Sequence, residues 1–184
     1  MLNNWMRRLQ LYVAHPDPRT ALANLVALLI VSNQPFYPLY VYFIIGNPAW
    51  ITVVTFLSTP FFFAVPAMAR RNALYGRILM CVAGTLNTVL CMWAFGTASG
   101  VELFYLPCIL LGAILFRPTE KAAALFCVGL PMAAYLFLHG RLGAPLHVFT
   151  AEEYTSLVSL HAISVGCLIA LIGYSFSTRS EVRA

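Results

Sequence analysis

Eight residues with side chains able to bind, orient or titrate stand in otherwise apolar surroundings: Asn33, Gln34, Tyr37, Tyr40, Asn87, Glu102, Tyr105 and His161. The densest group lies in NQPFYPLY, residues 33–40, where two amides and two tyrosines share a segment with Pro35 and Pro38. Proline inside a helix frees a backbone carbonyl and bends the axis. In hydrocarbon that carbonyl and the two amides need partners from neighbours, water or side chains. Two arrangements satisfy this: one wall of a ligand pocket, or a kinked packing helix whose amides bond to the next helix. In a pocket, the amides, hydroxyls and imidazole would orient a ligand, with Phe36, Phe61 and Trp93 as apolar wall.

The other candidates fall at comparable depth. Glu102 opens GVELFYLPC, where a carboxylate is cheap at the membrane interface and costly if buried. Tyr105 and Pro107 follow within about one helical turn. Asn87 has the position of an amide that bonds across helices. His139, His147 and His161 raise a different chemistry, haem or metal ligation, since histidines on two helices can hold one iron. No His-x3-His pair and no c-type haem attachment motif accompanies them. A pocket hydrogen bond, a pH-sensitive group or a plain helix–helix bond are the other readings of His161. No cofactor is expected on the first reading; haem or metal belongs to the alternative.

Catalytic patterns are missing. The sequence has no HExxH, no glycine-rich phosphate loop, and no Ser/His/Asp set with a visible logic. The chain alone is therefore expected not to be an enzyme. The five cysteines, Cys81, Cys91, Cys108, Cys127 and Cys167, have neither CxxC nor zinc spacing and read as small packing residues.

The elements that must position these groups are membrane helices. Of the 184 residues, 61% are hydrophobic and only 9% charged, against about 25% charged in a soluble domain. The mean hydropathy is +0.82. Apolar runs recur near the length of about 20 residues that crosses a bilayer. The expected fold is an all-α integral membrane bundle of six transmembrane helices, near 21–45, 49–68, 78–95, 102–116, 122–139 and 156–176. Residues 1–20 form an interfacial cytoplasmic segment. Within it Trp5, Met6, Leu9, Leu11, Tyr12 and Val13 flank Arg7 and Arg8, as in a short amphipathic helix lying on the membrane. HPDPRT then breaks that helix. Residues 177–184 form a cytoplasmic tail. The first apolar run begins too late and runs too long for a signal peptide.

Charge sets the orientation. With the N-terminus inside, ten of the 11 basic residues fall on inner segments and only Arg141 on an outer loop. This is the positive-inside pattern, N-in and C-in. Trp50, Trp93 and Tyr154 then fall near the outer interface. The basic stretches RRNALYGR and RPTEK become topology determinants that touch anionic lipid, and nucleic acid is not an expected partner. On the last helix Ala162, Gly166, Ala170 and Gly173 form a small-residue stripe, suited to packing inside the bundle or to a homodimer. The two three-helix halves show no convincing repeat, which counts against an inverted-repeat transporter.

NQPFYPLYVYFIIG, LSTPFFFAVPAMARR and SGVELFYLPCILLGAILFRP resemble the six-helix bacterial membrane sensor domains that precede adenylate cyclase, diguanylate cyclase (GGDEF) or histidine kinase modules. The chain is more distantly similar to the membrane part of the α-hydroxyketone quorum-sensing histidine kinases, whose first helix also carries a Pro-x-Tyr element. The resemblance implies a homodimeric receptor in the bacterial inner membrane. It would bind a small lipophilic or periplasmic ligand in its outer half and signal through the last helix. Such sensors continue into a linker and catalytic domain, whereas this sequence stops at STRSEVRA. It is therefore expected to be an excised domain or a protein that signals through a partner. A small transporter and a simple anchor are further alternatives.

Overall fold

The structure, a computed structural model, describes residues 2–181. Of the tail expected over 177–184, residues 182–184, with Arg183, lie outside the described residues. So do the side chains of residues 2–6, with Trp5 and Met6, and those of residues 179–181, with Arg179.

The described residues are helical and contain no strand. α1 spans Leu2–Val13, α2 Pro18–Asn33, α3 Tyr37–Ile45, α4 Thr59–Arg71, α5 Ala73–Phe95, α6 Tyr105–Ile114, α7 Lys121–Leu138 and α8 Ala151–Glu181. Short 3-10 segments join several of them. Counting these, Pro18–Ile45, Ala49–Arg71, Ala73–Phe95, Pro118–Leu138 and Ala151–Thr178 are long and apolar enough to cross a membrane. The sixth apolar helix, Val101–Ile114, is shorter than the about 20 residues a crossing takes.

Capping explains where the helices begin. Asp17 caps α2, its carboxylate accepting from Thr20 N at 3.3 Å and Thr20 Oγ1 at 2.6 Å, with Pro18 in the first turn. Asn72 caps α5 through Tyr75 N at 3.2 Å. α5 therefore starts at Ala73 rather than 78, and Arg77 sits one turn inside a helix instead of in a loop. α8 starts at Ala151 rather than 156. Thr150 and Glu153 form a reciprocal capping box there: Thr150 N donates to Glu153 Oε2 at 2.7 Å, and Glu153 N to Thr150 Oγ1 at 3.3 Å.

The second span is not uniformly α-helical. Asn47–Ser58 is a 3-10 helix. At three residues per turn, side chains three apart share one face. Ala49, Thr52, Thr55 and Ser58 form that face and are buried. Each hydroxyl donates to the carbonyl three residues back, at 2.6–2.7 Å. The polar stripe is thus satisfied along its own backbone.

Close approach comes from glycine, but not from α8. A Cβ on Gly76 would lie 2.6 Å from Ala69 Cβ, and one on Gly112 2.8 Å from the Cys127 carbonyl carbon. These contacts seat α5 on α4 and α6 on α7. Two apolar cores result. One, around Leu22, Val26, Phe62, Met80, Leu115 and Ile172, fills the arginine-rich half. The other, around Val41, Ile51, Met92, Phe95, Phe149 and Leu157, fills the arginine-poor half. α1 lies against the arginine-rich end. Tyr12 donates to Phe63 O at 2.7 Å, Arg70 sits 4.6 Å from the Tyr12 ring centre, and Asn24 Nδ2 donates to Val13 O at 3.0 Å.

Candidate functional site

The polar centre of the arginine-poor half is His161 of α8, which is fully buried. Its Nδ1 lies 2.8 Å from Ser99 O, and its Nε2 lies 2.8 Å from the Tyr37 hydroxyl. A carbonyl only accepts, so Nδ1 carries a proton; in the neutral ring Nε2 then accepts from Tyr37. Both nitrogens are committed, which answers the cost of burying an imidazole. Phe104 and Phe95 present edges to the ring, with centroids at 5.9 and 6.3 Å. Tyr37 also packs edge-to-face on Phe95 at 6.1 Å. One side chain of α8 therefore joins α3, the end of α5, and the turn that follows it.

That turn, Thr97–Ser99, is held between Gly96 (φ 78°) and Gly100 (φ 73°), in backbone conformations that suit glycine. Ser99 is buried, and its hydroxyl donates to Gly96 O at 2.7 Å. Gly100 lies directly on α8: an added Cβ would come within 3.0 Å of Val158 Cγ2. The turn thus rests on α8 at both Val158 and His161.

The other residues expected to form a pocket go elsewhere. Gln34 is buried but fully occupied: Nε2 donates to Thr55 O at 2.9 Å and Ser58 Oγ at 2.8 Å, and Oε1 accepts from Thr59 Oγ1 at 2.6 Å. It stitches the first span to the 3-10 helix of the second. Asn33 and Tyr40, seven residues apart and so on one helix face, are exposed. Phe36, Phe61 and Trp93, expected as apolar wall, are exposed on the outside of the bundle. Asn87 is half-buried, and its Oδ1 has no hydrogen-bond partner among the described residues. Glu102 faces His139, whose Nδ1 lies 2.9 Å from both carboxylate oxygens. Tyr105 is buried beside Tyr135, and its hydroxyl has no hydrogen-bond partner among the described residues. Of the eight candidates, only Tyr37 and His161 bond to each other.

The histidines are likewise dispersed. His139 pairs with Glu102, His147 packs edge-on against Phe149 at 5.0 Å, and His161 has no free ring nitrogen. Among the described residues no three His, Cys, Asp or Glu side chains are grouped to hold a metal ion. The small stripe of α8 does not pack within the bundle. Ala162, Gly166, Ala170 and Gly173 are exposed, and a Cβ on Gly166 or Gly173 would meet nothing within 4 Å.

A second polar centre, which sequence reasoning missed, lies at the arginine-rich end. Arg77 is 2% exposed. Its Nη1 and Nη2 donate to the two carboxylate oxygens of Glu120 at 2.9 and 2.7 Å, Nη1 also to Leu115 O at 2.7 Å, and Nε to Ala73 O at 3.2 Å. Glu120 Oε2 further accepts from Arg117 N at 2.8 Å, and Arg117 Nη2 reaches Asp17 at 3.2 Å. The basic residues of RRNALYGR and RPTEK are therefore not all lipid-facing. Arg77 bolts α5 to the α6–α7 connection.

Among known proteins, the family model of MASE7, a family of membrane-associated sensor domains, matches residues 10–184. No curated protein and no solved structure matches.

Proposed function

The chain belongs to the MASE7 family of membrane-associated sensor domains, and from that premise we propose that it takes its input at the arginine-poor end and passes it along α8. In this reading six helices cross a bacterial inner membrane. Both termini are cytoplasmic, in keeping with ten of the 11 basic residues falling on inner segments. The short helix Val101–Ile114 crosses with help from its flanking 3-10 turn and connection. A small ligand acts on the outer half. The output is a cytoplasmic cyclase, GGDEF or kinase module, and the chain itself does no chemistry. Two copies pair through the exposed small-residue face of α8, where helices can approach closely.

The observation that carries this reading is the placement of His161. α8 runs unbroken from the capping box at Thr150 to the arginine-rich end. Its one buried imidazole is bonded to a turn at the opposite end of the helix from the tail. A displacement of that turn acts on the helix that leads to the output. A ligand drives such a shift only as far as it binds the two states differently.

The test is a fusion of the chain to a dimer-dependent nucleotide cyclase in membranes. Tyr37→Phe and His161→Gln are expected to change basal output, while an exposed substitution such as Leu125→Ala leaves it alone. Wild-type output from both His161-centre variants would remove α8 from the signalling path.

A further inference from the structure

A cleft of about 130 Å³ opens at the arginine-poor end, between the Thr97–Ser99 turn, the loop 140–146 and the first turn of α8. None of the eight residues singled out from sequence lines it. We propose that this cleft is the ligand site, and that it takes a compact, uncharged molecule of phenol size with one hydrogen-bonding group. The inference rests on the sensor reading above and adds the place and the chemical class of the input.

Size sets the first limit. An apolar cavity of about 150 Å³ takes one benzene, so a cleft of about 130 Å³ accommodates a single small ring or its aliphatic equivalent. Charge sets the second. No Asp, Glu, Lys or Arg lines the cleft, so an ion there would find no counter-charge. The lining itself sets the third. Met92, Leu142 and Pro145 are apolar, while Thr97 and Tyr154 supply hydroxyls. That mixture, apolar walls with a few convergent polar groups, is the ordinary make-up of a small-molecule site.

The cleft is also built rather than incidental. Gly96 forms part of it at φ 78°, and a Cβ there would lie 3.3 Å from Pro145 and 3.6 Å from the Tyr154 hydroxyl. A side chain at this position would fill the space between them. The loop is held to α5 by Leu146 N donating to Ala94 O at 3.1 Å. Beneath it Phe149 stacks on Phe95, with ring centres 6.3 Å apart.

Two independent features meet at one turn. Thr97 and Ala98 face the cleft, while Ser99, the next residue, holds His161 through its carbonyl. Tyr154, on α8 itself, forms the other side of the cleft. A molecule seated there touches both the output helix and the turn bonded to it. Its binding energy therefore depends on their relative position, which is the condition for shifting that position.

The probe is 4-fluorophenol, followed by fluorine NMR on the full chain in lipid nanodiscs. Empty nanodiscs subtract partitioning into lipid, and 4-fluorobenzoate serves as the charged counterpart of like size. Saturable binding of 4-fluorophenol alone is expected. Ala98→Phe should abolish it by filling the cleft. Thr97→Val, which keeps the shape and removes a hydroxyl, should weaken it about 3- to 10-fold, the range for one lost hydrogen bond. Thr97→Val also serves as the test should Ala98→Phe fail to fold. Three results overturn the proposal: no saturable component above empty nanodiscs, equal binding of 4-fluorobenzoate, or affinity unchanged in both variants. The sensor reading fails separately. If 4-fluorophenol does not bind while Tyr37→Phe still alters the output of the fused cyclase, the cleft is wrong and the route through His161 stands.

Discussion

Arg77 and His161 are both buried, yet the bundle treats them in different ways. Arg77 is a permanent cation with four hydrogen bonds, two of them a fork onto Glu120. Its partners belong to its own helix and to the connection that ends at Glu120, which Arg117 braces in turn. His161 is a weakly basic ring with two bonds, one to a hydroxyl and one to the carbonyl of a glycine-flanked turn. Its remaining contacts are aromatic edges, which tolerate small rotations better than a bidentate ion pair does. The first centre fixes the spacing of helices at one end of the bundle. The second joins three elements at the other end through two neutral bonds, the weaker tie of the two.

This contrast predicts unequal costs. The largest is expected at the ion pair. Glu120→Ala leaves the Arg77 guanidinium buried without its counter-charge and should destabilise the fold by about 3–5 kcal/mol. Thermal unfolding of the purified protein in detergent, followed by helical circular dichroism, checks it. A loss below about 1 kcal/mol, the level of an exposed pair, would mean that this end is no stiffer than the other. Next comes overpacking in the same half. Gly112→Ala drives a methyl to 2.8 Å from the Cys127 carbonyl carbon and should cost about 1–3 kcal/mol. Gly129→Ala on α7 should stay within about 0.5 kcal/mol, because nothing lies near its added Cβ. If the two glycines gave equal losses, the close approach at Gly112 would not be what sets the cost.

A smaller effect is expected at the neutral centre. Tyr37→Phe removes one neutral hydrogen bond and should cost about 1 kcal/mol in unfolding free energy. The comparison sharpens if this variant, among the mildest in stability, is among the strongest in signalling output. It breaks if Tyr37→Phe unfolds the protein as readily as Glu120→Ala.

The sequence made the membrane helices legible, because hydropathy and length are local properties. The depth of His161 and Tyr37 was legible too, since counting along two helices places them at one level, and the structure bonds them. Azimuth was not. Gln34 and Val41 face inward while Asn33 and Tyr40 face outward, each pair seven residues apart on one helix face, and hydropathy does not say which polar face meets the bundle. A visible signal did exist for the second span: Ala49, Thr52, Thr55 and Ser58 recur every three residues, the period of a 3-10 helix rather than of an α-helix. TAEE, residues 150–153, likewise announced the early start of α8. The Arg77–Glu120 pair was beyond reach. Nothing local says that one of several loop arginines pairs with a carboxylate 43 residues away, and the positive-inside count treats them all alike. The cleft was also hidden, because its residues come from the end of α5, a turn, a loop and the start of α8.

The mildest prediction concerns the arm of the ionic cluster that reaches Asp17. Burial pushes this carboxyl's pKa up, but hydrogen bonds from Thr20 and Arg117 outweigh it, aided by the charges of Arg77 and Arg117. The result is a pKa below the ordinary 3.8. A carboxyl depressed on folding adds stability that is present above its unfolded pKa and is lost as pH falls through the folded one. The loss therefore belongs below about pH 4, and stability from this group should be level across neutral pH. Arg117 is more than half exposed, so screening holds the gain under about 1 kcal/mol. Unfolding of the wild type and of Asp17→Asn is to be compared at falling pH. Asn still caps α2 but does not titrate, so the gap between the two proteins should narrow only in the acid range. A gap that closed between about pH 6 and 7 would implicate a histidine rather than Asp17. The histidine beside it is His15, whose Nδ1 accepts from Asp17 N at 3.0 Å, and the charged centre would still lie at the arginine-rich end.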